Sequence, residues 1–557
     1  MAAVLLTALS ATAAPPREAE LRAVLSSEVT RITARLAPNK SGAPAVGILS
    51  ATTAPPGDQW IATLWQSAFI ASEATQTSLL AHEFSFKVNA PVLDGSAGLL
   101  TASTFVALIR NKKVLANTTM VGAINPDGSA AFADEVLARL RAAATDGVKR
   151  FGVPLGARQQ PGAEGEPIDV VLEGQRLGVE VRELSGLDDA YLFLTGDTLT
   201  RPTAAAETDM ELWPAELAAM SRSTTELRKE FETERATLET MLDGGVSPTS
   251  ANALRTRLER FAKQATDSER GGDSVRAYVL WGATLTTTRV AIQDVQFLQS
   301  REPFGLLQAQ GAALTTERAA LQKELETRFP PSNRANDMYA MDVLESLVTQ
   351  NTSVPTEQEA KSGDARQLAE GLLRAREDVR NGQRFVALYA SLPKLKKTLP
   401  PLDAARLSTS YGAARSTVAM KELANDAELR GYERQLFTEM DPRARLVLAA
   451  RQNIYTAHVI NLYRALGAEV SDKGVLTVRN PRVLSSQLEH ARTRVLQACG
   501  RAGREATMVP LAAKLRYLNA RAGREGTERQ KVEALADLWV ANWWCELAVS
   551  GSPRASR

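Results

Sequence analysis

The chain has 557 residues, too many for one hydrophobic core, so two or three folded units are expected. Its 66 Lys and Arg nearly cancel 64 Asp and Glu, which removes the broad field that would attract nucleic acid or an anionic membrane. With 44% hydrophobic and 23% charged residues the composition is that of a globular protein, and its abundant Ala, Leu, Arg and Glu favour helices.

The chain opens on a short apolar run, Met1 to Ala14, which ends in Ala11-Thr12-Ala13 and is followed by Pro15-Pro16. Small residues at that spacing are what a signal peptidase reads, and the run is too short to span a bilayer. The basic residues that usually lead such a segment are missing. Residues 1–14 are read as a targeting segment, with a plain N-terminal helix as the alternative, and the reading implies a periplasmic or secreted protein. No later stretch approaches the roughly 18 apolar residues of a transmembrane helix, so no integral span is expected.

Residues 15–200 form the first expected domain, with an α+β pattern. Ala45 to Ser50 suits a strand, Trp60 to Ser78 has helical spacing, and Phe84 to Val88 alternates like a half-buried strand. The turn-rich step Asn89 to Gly95 then feeds an apolar helix from Ser96 to about Ile109. Thr118 to Ile124 reads as a strand, Asn125-Pro-Asp-Gly128 as a turn, and Ala133 to Ala144 as a helix. Val148 to Pro154 and Ile168 to Leu172 read as further strands or strand ends, with a loop from Gln159 to Pro167 between them.

Beyond Pro202 the pattern changes. Residues 205–557 read as a large all-helical region, a bundle suited to binding partners, broken at Gly271-Gly272, Pro330-Pro331, Pro400-Pro401 and Pro481. The two cysteines, Cys499 and Cys545, both fall here. In an exported chain they form one disulfide or remain two buried thiols, and spacing alone does not decide between these. Three scattered histidines (His82, His458, His490) and no Cys/His cluster give no metal site. No G-x-x-x-x-G-K-[ST] occurs, so neither ATP nor any other cofactor is expected.

The segment with chemical content is Asp94-Gly95-Ser96-Ala97-Gly98 at the start of a helix. A serine there has backbone amides aimed into the same space, an arrangement that can hold an oxyanion; the plain alternative is a helix-capping serine. Downstream come Met120-Val-Gly-Ala-Ile-Asn-Pro-Asp-Gly-Ser129, a helix ending in Leu140 to Ala144, Gly147-Val-Lys-Arg-Phe-Gly-Val-Pro154, Leu177-Gly-Val-Glu-Val181 and Asp189 to Gly196. In that order these motifs resemble the proteolytic domain of Lon peptidases, and most closely the exported Lon-like proteins that lack an ATPase. The resemblance covers about residues 45–200. It implies an α+β proteolytic domain acting on polypeptides without ATP, with Ser96 as nucleophile and the Gly95 and Ser96 amides as oxyanion donors. The family often assembles into rings, so the resemblance also admits a homo-oligomer.

The resemblance places Arg139 where the family has its catalytic lysine, and no lysine lies between Lys113 and Lys149. A guanidinium keeps its proton near neutrality and cannot act as a general base. Asp134-Glu135 replaces the family's Gly-Gly, Gly95 its proline, and Val121 its threonine. Three readings follow: a working Ser96 served by another base, with His82, Asp94, Asp134 and Glu135 as nearby groups; a pseudopeptidase that serves as a scaffold or protein-binding module, in which Arg139 pairs with Asp94 or Asp134; or a helical interaction protein with a superficial motif match.

Overall fold

A computed structural model of the chain describes residues 15–25, 28–41, 43–50, 58–88, 95–162, 164–245, 247–300, 302–348, 365–395, 399–408 and 441–550. The chain divides into two compact units. The first comprises residues 1–202, 409–433 and 452–494, and the second comprises 203–408, 434–451 and 495–557. The targeting segment and Asp94 lie outside the described residues.

The first unit begins with two strands that sequence reading did not detect, β1 (Arg17–Leu25) and β2 (Glu28–Pro38). The Glu, Arg, Ala and Leu residues of β1 have little strand propensity of their own, whereas β2 carries the strand formers Val29, Thr30, Ile32 and Thr33. The strands form because they pair antiparallel along their whole length, which lets Leu21, Ala23, Ile32, Ala34 and Leu36 alternate into the core. Then follow β3 (Ala45–Ser50), α1 (Asp58–Ala74) and β4 (His82–Val88), completing a sheet ordered β1-β2-β4-β3 in which α1 crosses between the parallel pair β3 and β4. Helix α2 (Gly98–Ile109) is apolar on nearly every face and is accordingly buried from Gly98 to Leu108. Its Phe105 ring meets Phe84 and Phe86 with centroids 4.9 and 5.1 Å apart.

A second, parallel sheet follows the same logic. Strand β5 (Thr118–Met120) leads through α3 (Val136–Thr145) to β6 (Arg150–Pro154). After a hairpin of β7 (Gln159–Pro161) and β8 (Pro167–Asp169), α4 (Val170–Leu177) leads to β9 (Glu180–Leu184), giving the order β5-β6-β9, and α5 (Leu187–Thr195) closes the region. The expected loop at Gln159 to Pro167 is therefore a hairpin. The strand expected over Ile168 to Leu172 turns helical at Val170, because the Asp169 carboxylate caps the amides of Val171 and Leu172.

The second unit is built from α6 (Pro214–Gly245), α7 (Pro248–Arg270), α8 (Ser274–Gln299), α9 (Pro303–Arg328), α10 (Arg334–Val348) and α11 (Ala365–Ala390). Their charged faces are partly interior. Arg289 on α8 reaches Glu230, Glu234 and Glu377 at 2.9, 3.0 and 2.6 Å. Helix α12 (Pro442–Ile460) passes into the first unit at residue 452, where a π-helical turn (Asn461–Ala465) and a short hairpin of β10 (Ala468–Val470) and β11 (Leu476–Val478) follow, so residues 205–557 are largely rather than wholly helical. Helix α13 (Pro481–Glu505) starts at the proline that sequence reading took as a break, and α14 (Leu511–Gly523) and α15 (Glu528–Val549) end the described chain. Within this unit Cys499 and Cys545 are joined in a disulfide. Among the described residues no helix is long and apolar enough to cross a membrane.

Candidate functional site

Gly95 and Ser96 form the turn that delivers the chain into α2. The helix itself begins at Gly98 with Ala97 at the cap, so Ser96 is not the capping residue. Its carbonyl accepts from the Gly122 amide at 2.6 Å, and the Leu99 amide returns to the Gly122 carbonyl at 2.9 Å. The turn is thereby stitched to the chain leaving β5. Close approach explains the glycines. A Cβ on Gly98 would come within 2.9 Å of the Ile124 amide nitrogen. Gly122, at φ +138°, would press a Cβ to 2.8 Å from both Leu99 and Pro154. Gly122→Ala should therefore cost roughly 1–3 kcal/mol of stability, read as a fall in the urea midpoint of the first unit; an unchanged midpoint would refute the close approach.

Arg139 sits on α3, whose Val136, Leu140 and Ala143 pack with Val24, Val121 and Val153. Its guanidinium donates to the Val24 carbonyl at 2.7 Å. Two segments that are far apart in sequence thus converge: the Ser96 turn on Gly122, and the Arg139 helix on Val121 beside it. Both side chains are interior, Ser96 at 1% and Arg139 at 2% exposure. Glu135, just before α3, has φ +52°, a left-handed conformation that glycine takes without cost.

The other groups considered as bases fall differently. His82 lies beside Arg17, whose guanidinium binds the Leu108 and Ile109 carbonyls at the C-terminal end of α2. Burial first, and then the positive charge of Arg17, push its pKa below the usual histidine range. Ser96 precedes the opposite end of that helix, about 18 Å away along twelve residues. His82 is no base for Ser96. Asp134 is an ion-pair partner of Arg464 on the π-turn, not of Arg139.

Residues that sequence reading did not single out surround the Asn125 to Ser129 turn. The Asp127 carboxylate accepts from the Ser129 amide and hydroxyl, a turn the Asn-Pro-Asp-Gly signature predicts. Its neighbours come from far along the chain: the Asn125 amide donates to Asn461 Oδ1 at 3.2 Å, and Gln487 Nε2 to the Ala130 carbonyl at 2.9 Å. Nothing local in the sequence announces such partners. Among the described residues no group of three or more His, Cys, Asp or Glu is placed to hold a metal ion. No protein-family model matches the chain, and no curated protein matches it either.

Proposed function

We propose that the first unit is a Lon-type proteolytic domain that has lost hydrolysis and serves, outside the reducing cytoplasm, as a platform for binding polypeptides or protein partners. The observation that carries this is Arg139. At the position of the family's catalytic lysine stands a buried guanidinium that donates to the Val24 carbonyl. An activating base must accept the serine proton, and a guanidinium only donates. The domain assignment draws support from the convergence of the Ser96 turn and the Arg139 helix on neighbouring residues at the end of β5. It draws further support from Glu135, which holds a glycine-type conformation where the family has glycine. The Cys499–Cys545 disulfide favours an oxidising compartment and hence export. Self-association into a ring is part of the same family-based proposal.

A fluorophosphonate probe tests the loss of hydrolysis directly. The wild-type chain is expected to stay unlabelled while folded. Arg139→Lys is expected to gain labelling, because a desolvated ammonium can shed its proton as a guanidinium cannot. Adding Ser96→Ala should then remove that label. Wild-type labelling that Ser96→Ala abolishes would restore the peptidase reading. No gain with Arg139→Lys would mean the pocket no longer has a peptidase's geometry.

A further inference from the structure

We infer that residues 453–464, which return to the first unit from far along the chain, form a strap that closes the space around Ser96 and controls access to it. The inference rests on the proposed function only for the meaning of the Ser96 turn; the covering itself is argued from contacts. Among the described residues, three walls flank that turn. On α1, Thr63 stands against Gly95 and the Ser67 hydroxyl reaches the Gly98 carbonyl at 3.4 Å. The chain after β5 supplies Gly122 and Ile124. The third wall is α3, which carries Arg139 and packs with Val121, the residue before Gly122.

The returning segment is anchored beside each wall in turn. Asn453 Nδ2 donates to the Gln66 side chain at 3.2 Å, one residue from Ser67. Asn461 accepts from Asn125, one residue from Ile124. Arg464 pairs with Asp134, two residues before α3, and lies over the Phe132 ring, 3.9 Å from its centroid. From Asn453 to Arg464 the segment advances about 16 Å along its helical axis. The middle anchor is the firmest, since Asn461 and Gln487 exchange side-chain amide bonds at 2.8 and 2.9 Å and both are buried. The π-turn falls at Asn461–Ala465, where it delivers Asn461 and Arg464 to their partners.

The character of these anchors makes the strap releasable. The outer two, Asn453–Gln66 and Arg464–Asp134, are polar and only partly buried, so water can replace them at small net cost, whereas the buried Asn461–Gln487 pair holds the middle. Two large side chains of the segment, Tyr455 and Tyr463, point away at 67% and 56% exposure, while Ile454 packs inward at 6%. The Arg464–Asp134 pair is itself partly solvated, so salt weakens it. The same pair accounts for an acid at position 134, where the family has glycine.

The chain's two cysteines are bonded to each other, so Ser96→Cys introduces a single reactive thiol into the full-length oxidised protein. Its alkylation by a maleimide reads access to position 96 whether or not the site can hydrolyse anything. Alkylation is expected to be slow in that variant. It should accelerate about tenfold or more when Asn453→Ala and Arg464→Ala are added, and should slow again in the charge exchange Asp134→Arg with Arg464→Asp. Raising ionic strength should speed the reaction in the Ser96→Cys protein without any further substitution. A rate indifferent to salt and to the anchors, with the circular dichroism spectrum unchanged, would overturn the strap. Fluorophosphonate labelling of the wild type would instead overturn the loss of hydrolysis, so the two ideas fail separately.

Discussion

Replacing both Cys499 and Cys545 with alanine should lower the stability of the second unit by about 4 kcal/mol. The bond joins α13 to α15 across a separation of 46 residues, and a loop of that length removes about 4 kcal/mol of chain entropy from the unfolded state. Both cysteines are fully buried, and the neighbouring Arg501–Glu546 pair at 3.2 Å ties the same two helices. Reducing agents should act on the bond only once the unit opens. In urea the helical transition of the alanine variant should move down by roughly 1–2 M. Equal midpoints for the oxidised, reduced and substituted chains would show that the two sulfurs are not bonded, and would remove the argument for an oxidising compartment along with it.

A comparable effect is expected at Asp342 on α10. Burial chiefly, and then the nearby Glu345 carboxylate, raise its pKa to about 7, against the opposing pull of the Tyr389 hydroxyl that bonds it and of Arg516. Glu345 stays on the low side of its ordinary value: burial would raise it, but Arg516 and Arg451 prevail at 2.8 and 3.3 Å. One carboxyl of the pair is therefore protonated where the other is charged. The sign of the pH dependence follows. A folded-state value raised above that of the unfolded chain contributes stability that is fully present below the ordinary aspartate range and is lost as pH rises through about 7. The total is on the order of 4 kcal/mol. Between about pH 5 and about pH 8 the melting temperature of the second unit should fall. Asp342→Asn, which stays neutral and can still accept from Tyr389, should flatten that fall and melt higher at the alkaline end. A variant that keeps the wild-type slope would place the titrating group elsewhere.

Much of the candidate site was legible because its signals are local. Gly95-Ser96-Ala97-Gly98 before an apolar run had to be a turn into a buried helix, since α2 has no polar face to leave in water. Asn125-Pro-Asp-Gly had to turn, since the Asp127 carboxylate can bond the amide two residues on. The helix breaks at Gly271-Gly272 and Pro330-Pro331 were equally local. What misled was non-local. His82 looked close to Ser96 in sequence, yet its strand and α2 carry the two residues to opposite ends. Of the two acids read as partners for Arg139, Asp94 lies outside the described residues and Asp134 is taken by an arginine 330 positions away.

Taken alone, the sequence determined where the backbone must bend, which helices must be interior, and that position 139 carries a side chain with no acceptor. These follow from steric limits, apolar periodicity and the chemistry of single residues, which need no distant partner. Only the tertiary structure decided that the charged, helix-prone residues 17–25 become a strand paired with β2, that Cys499 meets Cys545, and that residues 452–494 rejoin the first unit. Each depends on segments meeting across the folded chain, where hydrogen bonds and buried surface outweigh the few tenths of a kcal/mol by which local propensity prefers one conformation.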